Sequence, residues 1–277
     1  MKQQVEERVQ LSSDQIAHYR ENGFLVLDSL FDPAEVEALS DAFDADCLTP
    51  GPQRILEENG EAVRAVYASH ERRREFATLV RTPRLLGPAR QLMSDDLYVY
   101  QLKINAKPAF GGDKWAWHQD FLAWKLADNL AEPRQVNIGL FLDEVTEFNG
   151  PLIFLPGSHR SGLLRDFRNA SSRSAQHLDP DDIALRPEQM SMLVDRHGMV
   201  SPKGAAGSVI LFDPQIVHGS APNMSPFPRR LLIATYNDVA NAPVPLGEPR
   251  PAYVVGRDTT PLELSDEPID LRVGGTV

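Results

Sequence analysis

The segment Lys114-Trp-Ala-Trp-His-Gln-Asp-Phe-Leu-Ala-Trp124 carries His118 and Asp120 two residues apart. In extended backbone that spacing points both side chains to one face. An imidazole nitrogen and a carboxylate oxygen presented together suit Fe(II) or Mn(II), and a second histidine from a distant strand would complete a facial triad with three coordination positions open. His218, in Phe212-Asp-Pro-Gln-Ile-Val-His-Gly-Ser220, is the candidate. Taken alone, His-x-Asp is a weak signal, since a surface histidine bonded to a nearby carboxylate gives the same pattern. The residues downstream of His218 strengthen it: the run His-Gly-Ser-Ala-Pro-Asn-Met-Ser-Pro-Phe-Pro ends in Arg229 and Arg230 at the start of a strand-like stretch. A metal open on three positions takes a bidentate co-substrate, and a fixed guanidinium fork is the natural anchor for that molecule's far carboxylate.

These residues need a rigid frame, and the chain has the material for one. It holds 277 residues, 42% hydrophobic and 24% charged, an ordinary globular composition that excludes a disordered or collagenous chain. Helix punctuation fills the first hundred residues: a Ser12/Gln15 capping box, Asp32 before Pro33, and Thr82 before Pro83 predict helices near 13–21, 33–46 and 83–93. Phe24-Leu-Val-Leu27 reads as a strand between the first two. From Leu97 the pattern turns to β, with strand-like runs at 97–105, 135–143, 151–155, 208–213 and 230–237 separated by Gly/Pro turns. This predicts a mainly β chain with flanking α: a double-stranded β-helix (jelly-roll, cupin-like) core behind N-terminal helices. The expected layout is one domain over 1–277, with a helical part to about residue 95, a core over about 96–240 and an irregular tail. The polar stretch from Arg160 to Arg196 holds a short helix near 188–196 and is either a lid or plain surface.

Charge and composition narrow the partners. A net charge of −11 disfavours nucleic acid, no run approaches the length of a membrane span, and a single cysteine, Cys47, with no signal-like N-terminus fits the reducing cytoplasm. A small-molecule substrate is expected, and nothing in the pattern sets an oligomeric state. No G-x-G-x-x-G or G-x-x-x-x-G-K-[ST] motif supports a nucleotide enzyme.

Four ordered motifs carry a resemblance: Gln101-x-Lys-x-Asn105, Trp117-His-Gln-Asp-Phe121 with Trp124 after it, Asn149-Gly-Pro-Leu-Ile-Phe-Leu-Pro-Gly-Ser-His159, and His218-Gly-Ser-x-x-Asn-x-Ser-Pro-Phe-Pro-Arg229. Over about Gln101 to Tyr236 the sequence resembles the phytanoyl-CoA dioxygenase family of non-haem Fe(II)/2-oxoglutarate-dependent oxygenases, in particular its ectoine hydroxylase-like branch. The resemblance implies that His118, Asp120 and His218 ligate iron and that Arg229 pairs with the far carboxylate of 2-oxoglutarate. Arg230 is expected to face the other way. It further implies that Ser220 and Asn105 help to hold the co-substrate and that Trp115, Gln101 and Trp124 line the same pocket. The activity it implies is hydroxylation of an unactivated C–H bond with 2-oxoglutarate and O2 as co-substrates and succinate and CO2 as products.

Departures from the branch bear on the substrate. The characteristic Thr-Trp-His-Val-Glu-Asp-Gly-Met-Pro run after the metal pair is replaced by Ala123-Trp-Lys-Leu-Ala-Asp-Asn-Leu-Ala131, and the arginine of its Gln-x-Arg-x-Asn strand is Lys103 here. Lysine keeps the charge and loses the fork, so a different substrate is expected. Lys103, Lys125 and Arg134 hint at an anionic group on it. The competing reading is a non-catalytic, metal-binding cupin-like module, which would keep the metal ligands without needing Arg229. His159 is expected on a turn, His18, His70, His177 and His197 at the surface, Cys47 as a buried thiol, and Trp117 turned away from the metal.

Overall fold

The two N-terminal boxes start helices as their spacing predicts. Ser12 and Gln15 bond reciprocally at the head of α1 (Ser13–Asn22), and Asp32 and Glu35 do so at the head of α2 (Pro33–Cys47), with Pro33 in the first turn. Helix α3 covers Arg74–Leu79 and α4 covers Pro83–Leu92. Thr82 differs from expectation: its hydroxyl donates back to the Leu79 carbonyl, 2.8 Å away, instead of capping α4. The computed structural model describes residues 10–164, save residue 59, and 183–269. About half of the stretch expected as lid or surface, together with His177, lies outside the described residues; α6 (Pro187–His197) closes it where a short helix was expected.

Among the described residues ten strands form two antiparallel sheets: β1 Phe24–Leu27, β2 Arg54–Leu56, β3 Val63–Tyr67, β4 Leu97–Lys107, β5 Trp115–His118, β6 Gln135–Phe141, β7 Leu152–Phe154, β8 Val209–Phe212, β9 His218–Ser220 and β10 Arg229–Asp238. The larger sheet runs β1-β8-β6-β10-β4-β3-β2 and the smaller β5-β9-β7. This is the expected double-stranded β-helix. The β2–β3 hairpin was not expected; it extends the large sheet from within the N-terminal part.

Alternation along the central strands separates two interiors. Leu102 and Ile104 of β4, Val136, Ile138 and Leu140 of β6, and Leu232 and Ala234 of β10 join the helices in one apolar core. The opposite face of the same strands carries Gln101, Lys103, Asn105 and Lys107, with Asn137 and Gly139 on β6 and Arg229, Leu231, Ile233 and Thr235 paired alongside on β10. Its apolar members pack with Phe154 and Ile216 in a second, smaller core. Slipping any strand by one residue would exchange these faces, so burial fixes the register that presents the polar row.

The segment after β10 has little regular structure but is packed. Val254 and Val255 are buried with Tyr98, Tyr100, Phe121 and Trp124. The Gly256 amide donates to the Tyr100 carbonyl, and Arg250 pairs with the buried Asp128, which also accepts from the Tyr100 hydroxyl. Among the described residues no helix is long and apolar enough to cross a membrane.

Candidate active site

His118 closes β5 and His218 opens β9, directly opposite one another in the small sheet. Asp120 is the first residue of helix α5 (Asp120–Asp128), with Gln119 extended before it. The extended reading of the His-x-Asp segment therefore holds only through Gln119, and a helix that the sequence pattern did not predict carries the carboxylate. The three side chains converge: His118 Nε2 lies 3.4 Å from Asp120 Oδ1, and His218 Nε2 lies 3.8 Å from Asp120 Oδ2. One ligand atom from each falls within 4.8 Å of the others.

The imidazoles are set as neutral ligands. His118 Nδ1 donates to the Ala116 carbonyl at 2.6 Å and His218 Nδ1 donates to the Ile216 carbonyl at 3.0 Å. A carbonyl only accepts, so each Nδ1 carries a proton, and the neutral tautomer this selects offers the Nε2 lone pair to a metal. Burial, reinforced by the neighbouring His118, pushes His218 down to about 4. Burial alone would raise the Asp120 carboxyl, but the neighbouring charge of Lys103 foremost holds it far below the usual carboxylate range. Two neutral nitrogens and one carboxylate, all at most 6% exposed, form a donor set that fits Fe(II).

At the far end of the inner row, Arg229 and Lys107 face each other across the β10–β4 pair. Arg229 is 2% exposed; its Nε and Nη2 both donate to the Gly150 carbonyl, at 3.1 and 2.6 Å, and among the described residues no carboxylate pairs with it. Gly150 has φ +73, and a Cβ there would lie 2.6 Å from the Ala221 carbonyl oxygen, so only glycine places its own carbonyl against the guanidinium. Burial pushes Arg229 down to about 10. Lys107, 1% exposed, donates to the Ala221 carbonyl, and burial together with the Arg229 charge pushes it down to about 6. Two buried basic groups, neither of them in an ion pair among the described residues, suit an anion. Between them and the triad, the Asn105 amide oxygen and the Ser220 hydroxyl are buried with no hydrogen-bond partner, an arrangement that a polar ligand completes. Together these groups fit a dicarboxylate such as 2-oxoglutarate.

The remaining expected residues divide. Lys103 stands between the two ends of the row, close enough to Asp120 to influence its charge, and makes no hydrogen bond or ion pair among the described residues. Gln101 is buried with its amide donating to the Val254 carbonyl at 2.9 Å. Trp115 pairs with Ser220 in the small sheet, under the Arg64 guanidinium. Trp124 packs edge-on against Tyr100, 5.2 Å between centroids, in the aromatic cluster under the C-terminal segment. Trp117 turns away, against Leu155, Met190 and Val217. Arg230 faces the other side and grips Asp143 with two nitrogens. Lys125 and Arg134 are engaged elsewhere, with the Ala131 carbonyl and Asp238, so of the three cations expected near the substrate only Lys103 faces the site. His159 lies in a short turn of helix and contacts the Arg20 carbonyl. Two further expectations need correction. His70 is largely buried and pushed down to about 4, and Cys47 is only half-buried.

Sequence reasoning missed Lys107, Asn137 and Thr235. For Lys107 the signal was present, since it continues the period-two row Gln101-Lys103-Asn105. Asn137 and Thr235 are single polar residues within apolar strands, and only the pairing of β6 with β10 brings them together.

Comparison with known proteins agrees with this geometry. The phytanoyl-CoA dioxygenase (PhyH) family model matches residues 19–231. L-proline trans-4-hydroxylase of Streptomyces griseoviridis is 37% identical over 261 residues, covering 90% of this chain and 94% of that protein. An ectoine dioxygenase of Nocardia farcinica is 34% identical, covering 91% and 88%. The crystal structure of EctD from S. alaskensis with 2-oxoglutarate and 5-hydroxyectoine matches with a TM-score of 0.81 at 30% identity, covering 94% of this chain and 89% of that one. EctD with bound Fe matches with a TM-score of 0.80. A family model that spans most of the chain, and relatives with this fold and this chemistry, decide against a non-catalytic metal module: the chain belongs to the phytanoyl-CoA dioxygenase family and is an Fe(II)- and 2-oxoglutarate-dependent dioxygenase that hydroxylates a small molecule.

Proposed function

We propose that this enzyme hydroxylates a small amino acid with a free carboxylate, L-proline being the first substrate to test, and that it does so as one catalytic domain in the reducing cytoplasm. Lys103 is the observation that carries the substrate class. An inward-facing ammonium with no hydrogen bond or ion pair among the described residues, beside the triad, is placed to receive a carboxylate. The relative from Streptomyces griseoviridis, named for L-proline, supports the choice within that class. The exchange of a bidentate arginine for Lys103 argues against ectoine, whose hydroxylases carry the arginine in the motif that this chain otherwise shares.

In this reading His118, Asp120 and His218 hold the iron through two neutral nitrogens and one carboxylate oxygen. Arg229 receives the far carboxylate of 2-oxoglutarate, with Lys107 beside it, and Ser220 and Asn105 supply polar contacts. Gln101, Trp115 and Trp124 border the pocket. Bound iron supplies O2 activation coupled to the oxidation of 2-oxoglutarate to succinate and CO2. The chain itself keeps both imidazoles unprotonated on Nε2, keeps Asp120 ionised, and excludes water from the triad, which strengthens each electrostatic contact made there.

The test is turnover with Fe(II), 2-oxoglutarate and O2, reading succinate release and the mass of the product with L-proline and with ectoine. The expected result is a hydroxylated amino acid. Lys103→Ala should raise its KM by roughly 10–100-fold, the value of one charge-assisted hydrogen bond, while 2-oxoglutarate turnover without substrate persists. Hydroxylation of ectoine but of no simple amino acid would overturn the substrate class, and an unchanged KM in Lys103→Ala would remove that residue from the site.

A further inference from the structure

Asn137 sits in the middle of β6, wholly buried, between Val136 and Ile138 of the apolar core. An amide in such a position is costly unless its polar atoms are paired. Both are paired here, and with a direction. The Thr235 hydroxyl donates to Asn137 Oδ1 at 2.6 Å, and Asn137 Nδ2 donates to Asp120 Oδ2 at 2.8 Å. Thr235 lies opposite Asn137 in the β6–β10 register and is 1% exposed. The ionised carboxylate only accepts, so the NH2 end of the amide faces Asp120, and Oδ1, turned the other way, is held by the Thr235 proton.

We propose that Asn137, oriented by Thr235, is the positioning residue that makes Asp120 a one-oxygen iron ligand. The amide N–H occupies Oδ2, the oxygen that lies 3.8 Å from His218 Nε2, and leaves Oδ1, 3.4 Å from His118 Nε2, without an amide donor and open to the metal. Single-oxygen binding matters because a carboxylate chelating through both oxygens takes a fourth position on the metal, and the chemistry needs three free for a bidentate co-substrate and O2. The relay also answers why the carboxylate comes from a helix start: α5 is a different element from the strands that carry the histidines, and the amide ties its first residue to the floor of the large sheet. Holding the sheet together does not require the relay, since the backbone ladder from β6 to β10 runs through seven consecutive pairs.

The test uses the full chain and reads Fe(II) affinity directly, by anaerobic equilibrium titration without co-substrate, together with the thermal midpoint of the metal-free protein and the ratio of 2-oxoglutarate consumed to product formed. Asn137→Ala and Thr235→Val should each weaken Fe(II) binding by about 10–100-fold, the usual effect of losing an outer contact to a metal ligand, and raise the ratio of co-substrate consumed to product. Thr235→Ser keeps the hydroxyl and should restore both. Should Asn137→Ala fail to fold, the Thr235→Val and Thr235→Ser pair decides: equal Fe(II) affinity and equal coupling in the two overturn the proposal. A folded Asn137→Ala with wild-type affinity and coupling overturns it as well. Wild-type protein that binds no Fe(II) overturns the metal reading on which the relay rests, and is thereby distinguished from failure of the relay alone.

Discussion

Arg229 is a buried charge that meets no carboxylate among the described residues, and this sets a measurable balance between stability and co-substrate binding. Burial lowers its pKa from the ordinary guanidinium range to about 10. The unfolded guanidinium keeps its proton to higher pH, so from about 10 up to the ordinary guanidinium range the unfolded chain holds more protons, stability rises with pH through that window, and at neutral pH the full penalty applies. At about 1.4 kcal/mol for each tenfold, the penalty is about 3 kcal/mol in the protein without its anion. Arg229→Met removes the charge and keeps an apolar stem. It also gives up the two hydrogen bonds to the Gly150 carbonyl, a loss of about 1–2 kcal/mol. The net expectation is a metal-free, co-substrate-free variant as stable as the wild type or up to about 2 kcal/mol more stable.

The same variant should lose the co-substrate. Removing one partner of a buried, hydrogen-bonded charge pair costs about 2–5 kcal/mol, which raises the 2-oxoglutarate Kd at least about thirtyfold. An anaerobic thermal-shift titration with Fe(II) and increasing 2-oxoglutarate reads both quantities. At a hundred times Kd the wild type should gain about 2.7 kcal/mol, or roughly 5–10 °C for a chain of this size, and Arg229→Met at the same concentration should gain little. A half-saturating concentration unchanged in the variant would refute the assignment of Arg229. A metal-free variant about 3 kcal/mol less stable than wild type would refute the reasoning about its uncompensated charge.

Neighbouring buried charges set two further outcomes. Lys107 is held near 6 by burial and by Arg229, far below its ordinary 10.5, so it is largely neutral at pH 8 and the unfolded chain binds the extra proton between those values. A dicarboxylate arriving beside it favours the ammonium: calorimetry at pH 8 in buffers of different ionisation enthalpy should show uptake of about one proton per 2-oxoglutarate bound, and uptake that persists in Lys107→Met would remove this residue as its source. Arg250→Ala strands the Asp128 carboxylate, 3% exposed, with the Tyr100 hydroxyl as its remaining partner. It should cost about 3–5 kcal/mol in a thermal melt, and a loss below about 1 kcal/mol would show that the C-terminal segment is held by its apolar contacts instead.

The parts of this enzyme that sequence made legible are those coded locally. Ser12 and Asp32 announce helices because a capping box lies within four residues, and β4, β6, β8 and β10 declare themselves through β-branched and aromatic runs. The convergence of His118, Asp120 and His218 and the inward placement of Arg229 were legible because ordered motifs carry their spacing, although His118 and His218 are a hundred residues apart. What failed depends on tertiary context. Helix α5 begins on Asp120 directly after a strand, with no side-chain hydrogen bond at its Gln119 cap to announce it. The β2–β3 hairpin is short and half-exposed, too weak in pattern to stand out. The segment after β10 looks irregular because its order comes from Arg250–Asp128 and from Val254 and Val255 in the aromatic cluster, not from any periodicity.

The division of labour between the two faces of β4 explains how such a frame can serve more than one substrate. Leu102 and Ile104 belong to the main core, where a change of one methylene is felt throughout the packing, whereas Gln101, Lys103, Asn105 and Lys107 project into the site from the same strand. A substitution on the inner row alters charge and hydrogen bonding where substrate and co-substrate lie and leaves the core contacts in place. Within that row the positions are not equivalent. Lys107 is locked between Arg229 and the Ala221 carbonyl, and Asn105 stands opposite Leu231 with an unanswered buried oxygen. Lys103, opposite Ile233 and free of hydrogen bonds among the described residues, is the one cation of the row that can change its partner without unpairing a neighbour. In the proposed reading, the lysine that stands here in place of the arginine changes what the site recognises without removing a core contact.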